Sequence, residues 1–502
     1  MSAIDLKIPF IRNRPMNWLA PRFVAGLAAV IIADWLFLDW GARGLSLVLF
    51  LCLLALVALA VSPFRATGRN LCVAGAILAA GLAALIEDAG LLSILITVAG
   101  TLIFVLMIVE GRPLRLARMA PRAAQLPFLG LFWLVGDVNR VSRLGRKKRG
   151  PKRILASLVA WIVPACALLV FGSLFADANP LLSDWFALLD PRLLFDPEVM
   201  RHLLFWSIIL CLIWPLLHLR LSRQSPTPKL AAPAALADAG PLFGESAILR
   251  SLVLLNALFA LQTGLDITYL WAGVALPNGM TYAAYAHRGA YPLVLTALLA
   301  AGFVLAAMRR GGPAEKSLWI RPLVLVWVSQ NVILMISSML RLNLYVATYS
   351  LTYLRLAAFI WMGLVAAGLL LIVAQILRRE SNGWLLEMNA RSLALALFGA
   401  CLFNAPAFVA DYNVAHCREV RGFGAALDQT YLLSLGPQAI PAIDVFARGV
   451  PGHEGDGLSA RSRMARPSDD WRGWSFHAWR LRRYLAMNSG VTRSAAAPLI
   501  QQ

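Results

Sequence analysis

Charge is scarce in this chain. Only 14% of its 502 residues are Asp, Glu, Lys or Arg, and acids are the scarcer sign, 26 against 46 Lys plus Arg. With 60% hydrophobic residues, such a chain cannot clothe itself in polar groups as a water-soluble domain does. Cysteine is sparse too. Cys52, Cys72, Cys166, Cys211, Cys401 and Cys417 include no CxxC pair, and nearly all fall in or beside apolar runs. They read as small buried hydrophobes, which argues against a disulfide scaffold or a zinc site. His416–Cys417 and His453–Glu454 lack metal-ligand spacing. Walker loops, dinucleotide loops, G-x-S-x-G elbows and H-E-x-x-H are all missing. No cofactor or metal is therefore expected and no catalytic residue is assignable. Whether the chain is an enzyme stays open, because intramembrane catalytic residues can be scattered.

What the sequence has instead is long apolar runs. Crossing a hydrocarbon core of about 30 Å takes about 20 helical residues, and a helix satisfies its own backbone in lipid. Eleven candidate spans are read, at about 23–39, 45–61, 71–86, 90–109, 154–175, 201–219, 247–273, 290–308, 319–339, 350–377 and 391–409. The expected fold class is all-α: a polytopic transmembrane helical protein of about 11 spans with a small helical extracytoplasmic C-terminal segment. The first run is followed at once by a second, so it reads as a retained helix and not a cleaved signal. The expected divisions are a cytoplasmic N-terminal segment (1–22), a group of four spans (23–109) and a basic cytoplasmic connection (110–153). A main core of seven spans (154–410), an extracytoplasmic helical segment (411–487) and a flexible tail (488–502) follow.

Charge in the connections sets the sides. The first 22 residues, the link at 62–70 and the stretch 110–153 are basic, whereas the link after Glu87 and Asp88 and the stretch 176–200 are acidic. Their alternation puts the N-terminus in the cytoplasm and the C-terminus outside. The net charge of +20 alone invites a nucleic-acid reading. Yet "RLGRKKRGPKR" (143–153) abuts an apolar span, where basic residues orient the chain and attract anionic lipid headgroups. The expected partner is therefore the membrane lipid and not nucleic acid, with an unidentified membrane protein or small anionic ligand left open. Residues 123–141, apolar but broken by Pro127, Gly130 and Gly136, read as lying in the interface or dipping partway in.

Polar groups interrupt three spans. Asn256, Thr263, Asp266 and Tyr269 recur at helical intervals, with Gln262 beside them. Gln330, Asn331 and Ser338 mark a second span; Tyr345, Thr348 or Tyr349, Thr352 and Arg355 form a stripe in a third. An acid and an arginine inside spans are costly without a partner. An Asp266–Arg355 pair is expected at matching depth, with Arg341 as the competing partner. The link "LPNGMTYAAYAHRGAYPL" (276–293) places Tyr282, Tyr285, His287, Arg288 and Tyr291 at headgroup depth outside. Interfacial aromatics account for the tyrosines; the His287–Arg288 pair runs against the charge pattern and suits an anion. The candidate polar core or rim is thus Asn256, Asp266, Tyr282, Tyr285, His287, Arg288, Arg341, Tyr345 and Arg355.

Beyond Asp411 the composition changes. Helices are expected at about 411–420 and 426–434, an apolar stretch too short to cross at 437–447, a loop at 449–470 and an aromatic, basic amphipathic segment at 471–486.

"FGSLFADANP" (171–180), "GMTYAAYAHRGAYPL" (279–293), "YVATYSLTYLRLAAFIWMG" (345–363), "DYNVAHC" (411–417) and "LDQTYLLSLGPQAIPAI" (427–443) resemble a bacterial multi-pass inner-membrane family. That family is known only as a domain of unknown function of the 4173-type, akin to the 4153-type. The resemblance spans roughly 150–485 and implies an inner-membrane protein with an outward C-terminal segment, but no activity. Three functions remain: a transporter or envelope accessory protein with a polar path between helices, an enzyme or binding protein acting on an anionic or lipid-linked substrate at the outer leaflet, and a scaffold. The spread of polar groups over several spans favours the first.

Overall fold

The computed structural model describes residues 20–37, 44–61, 66, 68–111, 113–144, 197–218, 245–271, 317–453, 455–464 and 471–488. All secondary structure among them is helical: α1 (Ala20–Phe37), α2 (Leu45–Val61), α3 (Arg69–Glu87), α4 (Leu91–Glu110), α5 (Leu116–Leu144), α6 (Pro197–His218) and α7 (Glu245–Asp266), which runs on into a π turn (Ile267–Trp271). Then come α8 (Ile320–Tyr349), α9 (Tyr353–Arg378) and α10 (Asn382–Leu402). Six short α-helices follow among the described residues, α11 (Ala405–His416), α12 (Arg418–Arg421), α13 (Gln429–Ser434), α14 (Ile440–Gly449), α15 (Asp456–Met464) and α16 (Phe476–Met487), with single 3-10 turns at Pro437–Ala439 and Trp471–Gly473. Among the described residues, seven helices (α3, α4, α6, α7, α8, α9 and α10) are long and apolar enough to cross a membrane. The protein is all-α and multi-pass. The expected spans at 154–175 and 290–308 lie outside the described residues.

The chain divides into two units, Met1–Ala79 with Val98–Leu114 and Arg118–Arg223, and Ala80–Thr97 with Arg115–Ala117 and Gln224–Gln502. In the first, α1 lays Gly26 against Leu210, Trp214 and Leu217 of α6, and Phe23 packs on Trp214 with ring centroids 4.7 Å apart. Without a hydrophobic force between helices in lipid, such close van der Waals fit is what joins them. α5 buries Met119, Ala123, Leu126, Gly130 and Asp137, a seam at spacings of three, four and seven. At Gly130 that seam meets α6 so closely that a Cβ would stand 1.9 Å from the Cys211 carbonyl oxygen. Pro215, four residues on, has no N–H to offer that carbonyl. Trp214 Nε1 donates to Asp137 Oδ2 at 3.3 Å. The stretch 123–141 is therefore part of one 29-residue amphipathic helix that runs through Pro121 and Pro127, because packing on α6 outweighs the lost backbone bonds.

In the second unit, the α3–α4 tip is drawn tight where Thr97 Oγ1 donates to the Gly81 carbonyl at 2.7 Å. The core joins Ile248, Leu252 and Phe259 of α7 with Val324, Trp327 and Leu334 of α8, Leu369 and Ile372 of α9 and Leu385 of α10. Glu387 of α10 accepts the backbone N–H groups of Leu116 and Ala117 at 3.0 Å each, capping the first turn of α5. The short C-terminal helices gather around Val346, Leu351, Val409, Val414, Ile443 and Phe446.

Boundaries differ from expectation where caps and long-range bonds decide. α8 runs to Tyr349, well beyond 339, and at about 1.5 Å per residue it is about 45 Å long, exceeding a hydrocarbon core of about 30 Å. The Tyr345–Arg355 stripe is divided between two helices, because Thr352 caps α9 by accepting the Arg355 N–H at 3.4 Å. α10 stops at Leu402; Asn404 opens α11 by accepting the Ala407 N–H at 3.2 Å. Within the expected loop 449–470 lies α15, fixed by Arg461 Nη2 on Asp444 Oδ2 at 2.5 Å.

Candidate functional site

α7 and α8 lie side by side and run parallel: Asn256 bonds to Leu323, Phe259 rests on Trp327, and Asp266 meets Arg341. On α7 the shared face carries Leu252, Asn256, Phe259, Thr263 and Asp266, and on α8 Trp327, Gln330, Leu334, Ser337 and Arg341. The apolar lower half thus passes into a polar upper half.

The focus of that half is a buried ion pair. Arg341 Nη2 donates to Asp266 Oδ1, and the two side chains are 4% and 0% exposed. Gln262 Nε2 donates to the same oxygen at 3.0 Å. Directly after Asp266 the helix widens into its π turn, a geometry frequent at functional sites. That turn brings Trp271 Nε1 to Ser337 Oγ at 3.2 Å. Asn331 and Ser338 turn inward on their own helix, donating to Trp327 O and Leu334 O at 2.8 Å each. Asn256 Nδ2 donates to Leu252 O at 2.8 Å and Leu323 O at 3.1 Å. Three other buried oxygens, Asn256 Oδ1, Thr263 Oγ1 and Gln330 Oε1, have no hydrogen-bond donor among the described residues. Buried polar atoms left so are rare and ask for a reason.

Arg355 is the partner expected for Asp266, and it is bound elsewhere. Its Nη1 donates to the Tyr349 carbonyl at 2.5 Å and to that of Ser350, and its guanidinium lies over the Tyr345 ring at 4.5 Å. Tyr345 in turn packs against Tyr349, the rings tilted and their centroids 4.8 Å apart. The cause is Ser350, whose φ of 66° and ψ of 168° belong to a region nearly reserved for glycine. This sharp break ends α8, turns two carbonyls outward, and sets Arg355 on the first turn of the next helix to collect them. Arg341, within α8, is left at the level of Asp266.

The C-terminal helices are tied to this junction. Asn413 accepts the Leu351 N–H at 2.7 Å and donates to the Leu351 carbonyl at 2.9 Å, and Tyr431 Oη accepts the Tyr353 N–H at 2.9 Å. Asp444 binds Arg461 and also accepts from Tyr484 Oη at 2.9 Å; burial first and then that bond hold the Tyr484 phenol above its ordinary range. α16 docks on the α3–α4 tip through Arg480 on Glu87 and His477 Nε2 3.2 Å from the same carboxylate. Burial lowers the His477 pKa. Asp88 and Glu87 oppose it, Arg480 reinforces it, and burial prevails.

Asn256, Asp266 and Arg341 are thus brought into one seam, and Tyr345 with Arg355 forms a second cluster beyond it. Tyr282, Tyr285, His287, Arg288 and Tyr291 lie outside the described residues. One pair escapes the sequence reading altogether: in the first unit, His202 Nδ1 and Trp206 Nε1 both stand 2.9 Å from Asp34 Oδ1. The available signal is a lone acid in an otherwise apolar run. Among the described residues no group of three or more His, Cys, Asp or Glu is placed to hold a metal ion.

Residues 73–445, nearly three quarters of the chain, match the family model described as a domain of unknown function (DUF4153). That is the type named above as kin, not the 4173-type placed first. No curated protein and no solved structure matches.

Proposed function

The chain belongs to the DUF4153 family, a family without an assigned activity, and from the geometry we propose that it is a transport or envelope accessory protein in which the α7–α8 seam is the path of a small polar solute. One observation carries this reading. Asn256 Oδ1, Thr263 Oγ1 and Gln330 Oε1, on the two helices that the Asp266–Arg341 pair joins, are buried acceptors without donors among the described residues. Each such atom costs about 1–3 kcal/mol, which a solute rich in hydrogen-bond donors offsets as it passes. The charge pair, beside a π turn that already departs from regular α geometry, is the natural closure of the path.

The proposed setting is the bacterial inner membrane, with about eleven spans, a cytoplasmic N-terminus and an extracytoplasmic C-terminal segment. It is supported by the bonds that bring α16 to the acidic α3–α4 tip and α11 to the α8–α9 junction, since both points fall on the outward side in the charge pattern. The alternative of an enzyme or binding protein at the outer leaflet draws on the strained Ser350 and the Arg355–Tyr345 cluster at that junction.

The test uses the full chain with its six cysteines replaced and Thr263→Cys added, in vesicles treated with a membrane-impermeant thiol reagent from either face. Modification of the folded protein from one or both faces is expected. A thiol that stays unreactive from both faces, yet reacts on denaturation, makes the seam dry architecture and removes the transport reading.

A further inference from the structure

A stripe along α16 owes nothing to the seam. Phe476, Trp479, Arg480, Arg483 and Met487 stand at helical offsets of three, four, seven and eleven, share one face, and are all exposed, Met487 to 67%. The opposite face is occupied. His477 stands against Glu87, its carbonyl accepts from Gln438 Nε2 at 3.4 Å, and Tyr484 Oη donates to Asp444. These bonds fix the roll of the helix about its own axis, so the exposed stripe is held in one direction.

Spacing within the helix organises the stripe. The rings of Phe476 and Trp479 are stacked with centroids 5.2 Å apart. Arg480 lies over Phe476 at 4.9 Å and Arg483 over Trp479 at 5.6 Å, each four residues on. Arginines so placed run their stems along apolar surface and keep their heads at its polar edge, in a fork that suits phosphate. Arg480 also holds Glu87 and marks one border of the stripe. Arg483 has no acidic partner among the described residues, and the helix itself, FHAWRLRRYLAM, contains no acid. Glu87, Asp88 and Asp444, the acids that meet α16 among the described residues, do so through His477, Arg480 and Tyr484.

The docking point sets the depth. Glu87 ends α3 and Leu91 begins α4, two helices long and apolar enough to cross a membrane. A helix bound at that tip lies where hydrocarbon gives way to headgroups, whichever side of the membrane the tip occupies. Leu91, 75% exposed, carries bare apolar surface up to the same level. Aromatic and apolar side chains interleaved with arginine are what an interfacial helix presents to that boundary. We propose that the exposed stripe of α16 rests on the bilayer and binds anionic phospholipid. Phe476, Trp479 and Met487 lie against the upper acyl chains, and Arg483, with Arg482 beside it, takes the headgroup phosphates. Each arginine near the surface favours a net-negative lipid over a zwitterionic one roughly fivefold.

The experiment uses the full-length protein in phosphatidylcholine nanodiscs, its six cysteines replaced and a bimane fluorophore attached at Met487→Cys. A small fraction of the lipid carries a nitroxide quencher high on its acyl chain, borne either by phosphatidylglycerol or by phosphatidylcholine. Quenching by both is expected, with phosphatidylglycerol at least about threefold the stronger at equal mole fraction, roughly the effect of a single arginine. Arg482→Gln with Arg483→Gln should bring it down to the phosphatidylcholine level. Quenching by neither lipid means that α16 stands off the bilayer or is covered by protein, and overturns the proposal. Equal quenching by the two overturns the preference for anionic lipid, as does an excess that survives the double variant. Should that variant fail to fold, the exposed Arg483→Gln takes its place.

Discussion

Removing either member of the Asp266–Arg341 pair leaves a charge in a place where neither side chain reaches water. The expected loss for Asp266→Leu or Arg341→Met is about 3–5 kcal/mol, the range for breaking a buried pair by removing one partner. At about 1.4 kcal/mol per tenfold, that moves the folding equilibrium by two to nearly four powers of ten. Asp266→Leu also deprives Gln262 Nε2 of its acceptor at 3.0 Å, so it is expected at the upper end. The double variant removes both charges and their desolvation together, and its loss should be smaller than that of either single change. Reversible unfolding in mixed micelles, followed by tryptophan fluorescence as the denaturing detergent fraction rises, measures all three. If the double variant loses the sum of the two single losses, the residues are not coupled and the pair does not hold α7 to α8.

Asn413→Ala removes two buried bonds to the backbone of Leu351 and strands its N–H and carbonyl, a loss of about 1–3 kcal/mol each; limited proteolysis should then cleave within 405–488 much faster than in the parent chain. For His477 the sign follows from its lowered pKa. The unfolded chain binds more protons than the folded one between the two values, so docking of α16 is fully stable above about pH 6.5 and weakens as pH falls toward the lower folded value. Hydrogen exchange of α16 at pH 7.5 and 5.5 checks this, and His477→Gln should flatten the difference.

The membrane character and most helix positions are legible because apolar runs and charged connections act through local composition. The polar faces are legible in the same way: Asn256, Thr263 and Asp266 follow the helical period, and they do share the face that meets α8. Pairing is not legible by such means. Arg355 is level with Asp266 only if a helix begins at 350, whereas the break at Ser350 and the Thr352 cap put Arg355 in α9 and leave Arg341 on the seam. The Thr352 cap is a signal that sequence patterns do offer. Asp34 and His202 are 168 positions apart, and nothing local links them. α15, rich in Ser, Gly and Arg, looks like a loop; its order comes from Asp444 on a neighbouring helix.

The length of α8 has a mechanical consequence. A helix of about 45 Å that begins among the membrane core and ends in the C-terminal cluster is a stiff rod, and its last turns belong to both. The C-terminal helices are therefore mounted on it and not tethered by loose chain. Pivoting the rod by 10° about its lower end would carry its tip, with Val346 and the Leu351 junction, through about 8 Å. Any loosening of Asp266 from Arg341 would thus be displayed at the far end of α8 as a change in the stance of the C-terminal helices mounted there.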